Sequence, residues 1–246
     1  MTISKPKTPK ERLILALDVD TIEEVEKYVT LLKDYVGFFK VGLQLFTSCG
    51  FDAVRKITEL GGKVFFDGKF HDIPNTVSKA SVNLLKNGVT FFDIHISGGS
   101  KMLCNTVDLV KKTAKSKNMP TPTILGVTLL SSFGQRTLTE ELNVKMNIDE
   151  YVEYLAKIAK DSGIDGVMAS ASEAKRIRQE FGEDFIILCP AIRPTWSVVN
   201  DQVRVVTPTD AIKAGVDFMV IGRPVLSADD PVAAIKLIID EIESNL

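Results

Sequence analysis

LILALDVDTIEEVEKYVTLLKDYVGFFKVG, residues 13–42, decides the fold. Its two ends, LILALD (13–18) and GFFKVG (37–42), are short apolar runs that are continuous rather than alternating. Strands buried on both faces read this way. Between them, Ile22–Lys33 has a helical period that puts Val25, Val29 and Leu32 on one stripe. A strand, a helix and a second fully buried strand make one unit of a parallel sheet.

The same unit recurs outward along the chain. Further apolar runs are KVFFD (63–67), FFDIH (91–95), TILGVT (123–128), DGVMAS (165–170), FIILC (185–189) and DFMVIG (217–222). Tyr151–Ala159 is helical in period through Tyr151, Leu155, Ile158 and Ala159. Pro231–Ile242 opens on a first-turn proline and repeats Val232, Ile235, Ile238, Ile239 and Ile242. Eight β/α units in 246 residues predict an α/β protein, a single (β/α)8 TIM barrel. The open doubly wound sheet is disfavoured, because no GxGxxG fingerprint follows the first strand. Residues 1–246 read as one barrel domain, with 1–11 as an N-terminal extension. The longest irregular stretches are Ser131–Ile148 and Pro190–Thr207, lengths typical of binding loops.

Composition narrows the function. Hydrophobic residues are 45% and charged residues 25%, which excludes a disordered or fibrous chain. Thirty Lys and Arg against 32 Asp and Glu give a net charge of -2, so nothing points to nucleic acid. Small anionic ligands need only local positive charge. Cys49, Cys104 and Cys189 are odd in number and show no CxxC spacing, and read as reduced thiols. MTISKPKTPKER at the start has no apolar leader segment, and no run approaches a membrane span. A soluble, cytoplasmic protein with no membrane partner is expected.

Barrels of this class keep their chemistry at the C-terminal ends of the strands. Asp18 ends the first run and Lys40 stands at the end of the second. Asp67 ends the third, followed by Lys69 and Asp72; Asp93 and His95 end the fourth; Gly222-Arg223 ends the eighth. Asp67 and Lys69 are two apart and face one side of an extended backbone. A structural ring of ion pairs is the plain alternative. A DxKxxD turn leading straight into Ile-Pro-Asn-Thr favours a site. Gly222-Arg223-Pro224, after the last strand, fits a phosphate contact, with a glycine for close approach and a forked guanidinium. His71 and His95 lack the Cys or Glu partners of a zinc site, so no metal is assigned.

These residues resemble the orotidine 5'-phosphate decarboxylase family. DGKFHDIPNT (67–76) is similar to its DxKxxDIPxT signature. ALDVD (16–20), FKVG (39–42), VTLLSS (127–132), PAIRP (190–194), DQVR (201–204) and IGRP (221–224) match its other blocks in order. The resemblance implies a metal-free and cofactor-free homodimer that converts orotidine 5'-phosphate to UMP and CO2 in pyrimidine biosynthesis. It implies that Lys69 donates a proton to C6 and that Asp67 lies beside the departing carboxylate. Lys40 would bridge the ribose and the charged network, and Asp18 would hold ribose hydroxyls. Asp72 and Thr76 would reach into the partner subunit's site, and Ser131 would contact the pyrimidine edge. Arg193, Gln202, Gly222 and Arg223 would grip the phosphate and close the long loop over it. Flanking Asp67 and Asp72 are expected to keep Lys69 protonated.

Three departures stand out. Gly68 replaces a usual apolar residue, Ser131 a usual Thr, and Ala191 a usual Gly before Ile-Arg-Pro. None removes a catalytic group. The competing readings are a Mg²⁺-dependent 3-keto-L-gulonate 6-phosphate decarboxylase, a Schiff-base aldolase barrel using Lys40 or Lys69, and a catalytically silent nucleotide-binding barrel.

Overall fold

A computed structural model describes residues 5–197 and 206–246. The strands are β1 (Leu13–Ala16), β2 (Phe38–Gly42), β3 (Val64–Phe70), β4 (Phe91–His95), β5 (Thr123–Val127), β6 (Gly166–Met168), β7 (Ile186–Cys189) and β8 (Phe218–Ile221). All pairings are parallel and run in sequence order, and β8 pairs with β1 to close the barrel. Each of the eight apolar runs marks one strand, and β3 alone continues past its run, to Phe70. The β/α alternation is therefore the (β/α)8 barrel expected of it.

Helices cover the outside. They are α1 (Pro9–Arg12), α2 (Ile22–Leu32), α3 (Leu43–Cys49), α4 (Phe51–Glu59), α5 (Pro74–Lys86), α6 (Ser100–Ser116), α7 (Ile148–Asp161), α8 (Ala171–Phe181), α9 (Pro208–Lys213), α10 (Arg223–Leu226) and α11 (Pro231–Glu243). Capping explains where several begin. Thr21 and Glu24 form a reciprocal capping box before α2. Asn147 and Glu150 do the same for α7: the Glu150 amide donates to Asn147 Oδ1 at 2.9 Å and the Asn147 amide donates to Glu150 Oε2 at 3.2 Å. That box starts α7 three residues before the periodic stretch at Tyr151. No helix among the described residues is long and apolar enough to cross a membrane.

Two apolar layers result. Between sheet and helices lie residues such as Leu15, Val25, Val41, Ile57 and Ile187. Inside the barrel lie Ile14, Ala16, Phe38, Phe65, Phe91, Leu125, Val127, Met168, Ile186, Leu188, Phe218 and Val220. Phe91 meets Phe38, Phe65 and Phe218 edge to face, with ring centroids 4.9, 6.1 and 5.1 Å apart. This aromatic plug fills the barrel, so the space above it at the strand C-termini is a floored cup.

Candidate active site

Strand parity carries the inward side of the barrel upward from apolar plug to charged mouth. On β2, Lys40 follows inward Phe38 by two residues. On β3, Asp67 and Lys69 follow Phe65. On β4, Asp93 and His95 follow Phe91; beyond β1, Asp18 follows Ala16. The same rows that bury phenylalanines therefore deliver the ionisable groups.

The charged groups pair closely. Lys40 Nζ lies 3.1 Å from Asp18 Oδ1 and 3.5 Å from Asp67 Oδ2. Lys69 Nζ donates to Asp67 Oδ1 and lies 4.0 Å from Asp93 Oδ2. Lys40, Asp67 and Asp93 are buried, so these charges are stable only as a paired set. Burial alone would raise the Asp67 carboxyl, but the Lys40 and Lys69 ammoniums outweigh it and hold it below the ordinary value. Burial likewise opposes the charge on Lys69, and the fields of Asp67 and Asp93 overcome it and hold the ammonium above its ordinary value. Both groups are therefore charged at neutral pH.

Backbone geometry serves this pair. Lys69 has φ 46°, in the left-handed region that an L-residue occupies at a cost. The β3–β4 register shifts between Phe66 and Phe70, and the Lys69 amide leaves the ladder to donate to Asp93 Oδ1 at 2.8 Å. Gly42 leaves room for Lys40: a Cβ there would sit 2.6 Å from Lys40 Nζ. At Gly68, the ring of Phe66 occupies the space of a side chain, with Cε1 2.3 Å from an added Cβ. Phe66 packs in turn on Phe46 and Phe70. The apolar volume expected of position 68 is thus supplied from position 66.

A cavity of about 300 Å³ stands over this cluster. Asp18, Lys40, Asp67 and Lys69 line one part, Thr128 and Ser131 another, and Arg193, Gly222 and Arg223 a third. Arg193 is buried, and its amide donates to Val206 O at 2.9 Å. An isolated parallel bridge between Ile192 and Val206 ties the two stems of the long loop together. Ala191, beside this bridge, has φ 64°, again left-handed. Gln202 lies outside the described residues.

Asp72 and Thr76 stand apart. Both are exposed and neither lines the cavity; the Asp72 carboxylate accepts the adjacent Ile73 amide at 2.6 Å. Within one chain, Asp67 and Asp93, with a smaller part from Asp18, are the carboxylates that raise Lys69; Asp72 does not reach the Lys69 of its own chain. The reason is local: the chain leaves β3 at Phe70 and turns outward before α5. Sequence reasoning set Asp93 at a strand end but gave it no role in the site. Its signal was parity with Phe91 in an otherwise apolar strand. His95, the next inward residue, lies 5.4 Å from His71 between ring centroids. Burial, then the field of His71, lowers its pKa to about 4, so it is neutral at physiological pH.

Fold and site together define a (β/α)8 barrel of the enzyme type, with ammonium–carboxylate pairs and guanidinium groups converging on one cavity at the strand C-termini. A model of the orotidine 5'-phosphate decarboxylase / HUMPS family matches residues 11–238. The chain is 45% identical over 238 residues to an orotidine 5'-phosphate decarboxylase of Syntrophotalea carbinolica, covering 96% of this chain and 97% of that one. It is 44% identical over 234 residues to one of Moorella thermoacetica, covering 95% and 93%. A crystal structure of orotidine 5'-phosphate decarboxylase from Lactobacillus acidophilus superimposes with a TM-score of 0.83 at 37% identity, over 97% of this chain and 99% of that one. The chain belongs to the orotidine 5'-phosphate decarboxylase / HUMPS family.

Proposed function

We propose that this protein decarboxylates orotidine 5'-phosphate to UMP and CO2, using Lys69 as the acid and neither a metal nor an organic cofactor. One observation carries the reading. A protonated lysine, paired with Asp67, faces a cavity that also takes in Arg193, Gly222 and Arg223. The full-length relatives named for this activity support it.

The chemistry explains the residues. Breaking the bond between C6 and its carboxylate leaves an electron pair in the plane of the pyrimidine, where the ring π system cannot take it. A cation beside C6 stabilises that pair by charge and then supplies the proton. Lys69 gives its proton to C6 as CO2 departs, and the resulting amine is reprotonated from water. Asp67 keeps Lys69 charged beforehand and, next to the substrate carboxylate, adds a repulsion that ends when CO2 leaves. Lys40 and Asp18 orient the ribose. Ser131 meets the pyrimidine edge. Arg193, Gln202, Gly222 and Arg223 hold the phosphate, whose binding energy positions the distant reacting bond. Since Lys40 and Lys69 already neutralise Asp18 and Asp67, the site has its counter-charges without a divalent ion.

The same reading makes the enzyme a cytoplasmic homodimer in which Asp72 and Thr76 complete the partner's site. Their exposure outside their own cavity supports this, as does Ile73 between them, 67% exposed. Lys69→Ala and Asp72→Ala proteins, each inactive alone, should regain turnover when mixed and allowed to exchange subunits.

Orotidine 5'-phosphate added to the protein in excess EDTA tests the whole reading by the ultraviolet change on UMP formation. Rapid turnover is expected. No turnover until Mg²⁺ and a keto-sugar phosphate are supplied would move the chain to the Mg²⁺-dependent branch. Tight UMP binding without turnover would make it a silent nucleotide binder.

A further inference from the structure

Asp93 is the most deeply buried ionisable group of the site, with no solvent exposure. Its Oδ1 accepts the Lys69 amide at 2.8 Å. Its Oδ2 is buried and has no hydrogen-bond donor: the nearest ammonium, Lys69 Nζ, stands 4.0 Å away, too far for a hydrogen bond. The carboxyl groups of Asp93 and Asp67 lie within hydrogen-bonding reach of each other. Two carboxyl groups this near, both drawn to Lys69 Nζ, favour holding one proton, because each carboxylate opposes ionisation of the other in a dry site.

We infer that Asp93 is a positioning residue that works as a neutral carboxylic acid, accepting the Lys69 amide on Oδ1 and donating its Oδ2 proton to Asp67. The asymmetry of the surroundings assigns the proton. Asp67 faces two ammoniums, Lys40 and Lys69, whereas Asp93 faces a backbone amide and the far side of Lys69. Burial, followed by the negative field of Asp67, holds the Asp93 carboxyl well above the ordinary carboxylate range. The charged groups facing Asp93 are Asp67 and Lys69 of β3, with Lys40 and Asp18 behind them. His95, further along β4, is neutral, and β5 sets Leu125 beside it in register.

Two consequences follow for the site. The bond to Oδ1 holds the left-handed backbone of Lys69, which aims its ammonium back across Asp67. The proton on Oδ2 fixes the plane of Asp67 while leaving the cluster with two carboxylates, Asp18 and Asp67, against two ammoniums. An ionised Asp93 would add an uncompensated negative charge beneath the cavity and would hold the Lys69 proton more tightly, making it a weaker acid.

The inference rests on Lys69 being the acid of the proposed reaction, and two measurements separate its failure from that of the reaction. The first is infrared spectroscopy of the protein without substrate at neutral pH. A protonated-carboxyl carbonyl band should be present in the natural protein and absent from Asp93→Asn. No such band means that Asp93 is ionised and overturns the inference, whatever the turnover. The second is kcat and KM across pH for Asp93→Asn and Asp93→Leu. Asn reproduces both hydrogen bonds of the neutral acid, accepting with Oδ1 and donating with Nδ2. It should keep kcat within about threefold and remove the alkaline fall that accompanies Asp93 ionisation in the natural protein. Leu makes neither bond and should lower kcat by on the order of 10²-fold with little change in KM. If Asn is as damaging as Leu, the carboxylate charge is what matters and the inference fails. It also fails if Leu is as active as the natural protein. Should Leu not fold, the infrared band and the Asn pH profile still decide.

Discussion

Ala191→Gly should stabilise the protein. Ala191 has φ 64°, beside the bridge that pins Ile192 to Val206. An alanine in the left-handed region is strained by roughly 1–2 kcal/mol, from the clash of Cβ with the following carbonyl. Glycine removes that strain, but its freer unfolded chain takes back about 0.4–1 kcal/mol. The net gain is about 0.5–1 kcal/mol, which in a chain of this length raises Tm by about 1–4 °C. Thermal unfolding of the two proteins at one concentration and pH, without ligand, reads it directly. Ala191→Val is the matching control, because a β-branched residue is worse in this region and should lower Tm. A glycine variant that melts below the natural protein would refute the reasoning, since it would mean that the left-handed backbone at 191 is unstrained.

Lys69→Ala should abolish turnover, by at least about 10⁴-fold, while UMP titration shows affinity largely intact. Retained turnover would remove Lys69 from its role. Arg223→Ala should lower kcat/KM by about 3 kcal/mol, on the order of 10²-fold, and orotidine lacking its phosphate should be a very poor substrate for the natural protein. Equal kcat/KM for the truncated substrate would detach the phosphate contacts from catalysis. His95 is neutral in the folded state down to about pH 4, whereas in the unfolded chain it takes a proton from about pH 6.5 downward. The unfolded state thus binds more protons across that window, so this contribution to stability rises with pH through it and is lost as pH falls. Solvent contact at the site reduces the effect to about 1–2 kcal/mol, and the difference in urea midpoint between the natural protein and His95→Asn, followed from pH 7 to pH 4, isolates it.

The barrel was legible because its strands are buried on both faces. A run such as FFDIH has no polar alternation to confuse with a surface helix, and turn residues bound it on each side. The same property hid the site's inner geometry. Within a run that is apolar throughout, nothing in hydrophobicity says which residues face the barrel axis and which face the helices. Phe91, Asp93 and His95 point inward while Phe92 and Ile94 pack outward, yet all but Asp93 and His95 look alike in sequence. Once Phe91 is known to face in, Asp93 must follow it. Asp67 and Lys69 are two charges two residues apart at a strand end and declare their own parity; Asp93 and His95 have the same spacing, but nothing in the sequence joins Asp93 to the Lys69 amide on the next strand. Gly68, between Asp67 and Lys69, has its physical account in the Phe66 ring two residues back on the same strand, whose side-chain orientation linear spacing does not contain.

Asp72 shows how the backbone divides the motif. DGKFHD invites the reading that both aspartates flank the lysine, since Asp67 lies two residues before Lys69 and Asp72 three after. Spacing of this kind holds only while the backbone stays in one conformation. Here the left-handed φ at Lys69 and the shifted β3–β4 register turn the chain. The third carboxyl of the cluster then comes from the neighbouring strand, and Asp72 is released to the surface. A residue so placed, with an exposed isoleucine at its side, accepts the adjacent Ile73 amide and takes no part in its own chain's charged cluster. In the proposed homodimer this exposed carboxylate, outside its own chain's cavity, would be the group offered to the partner's site.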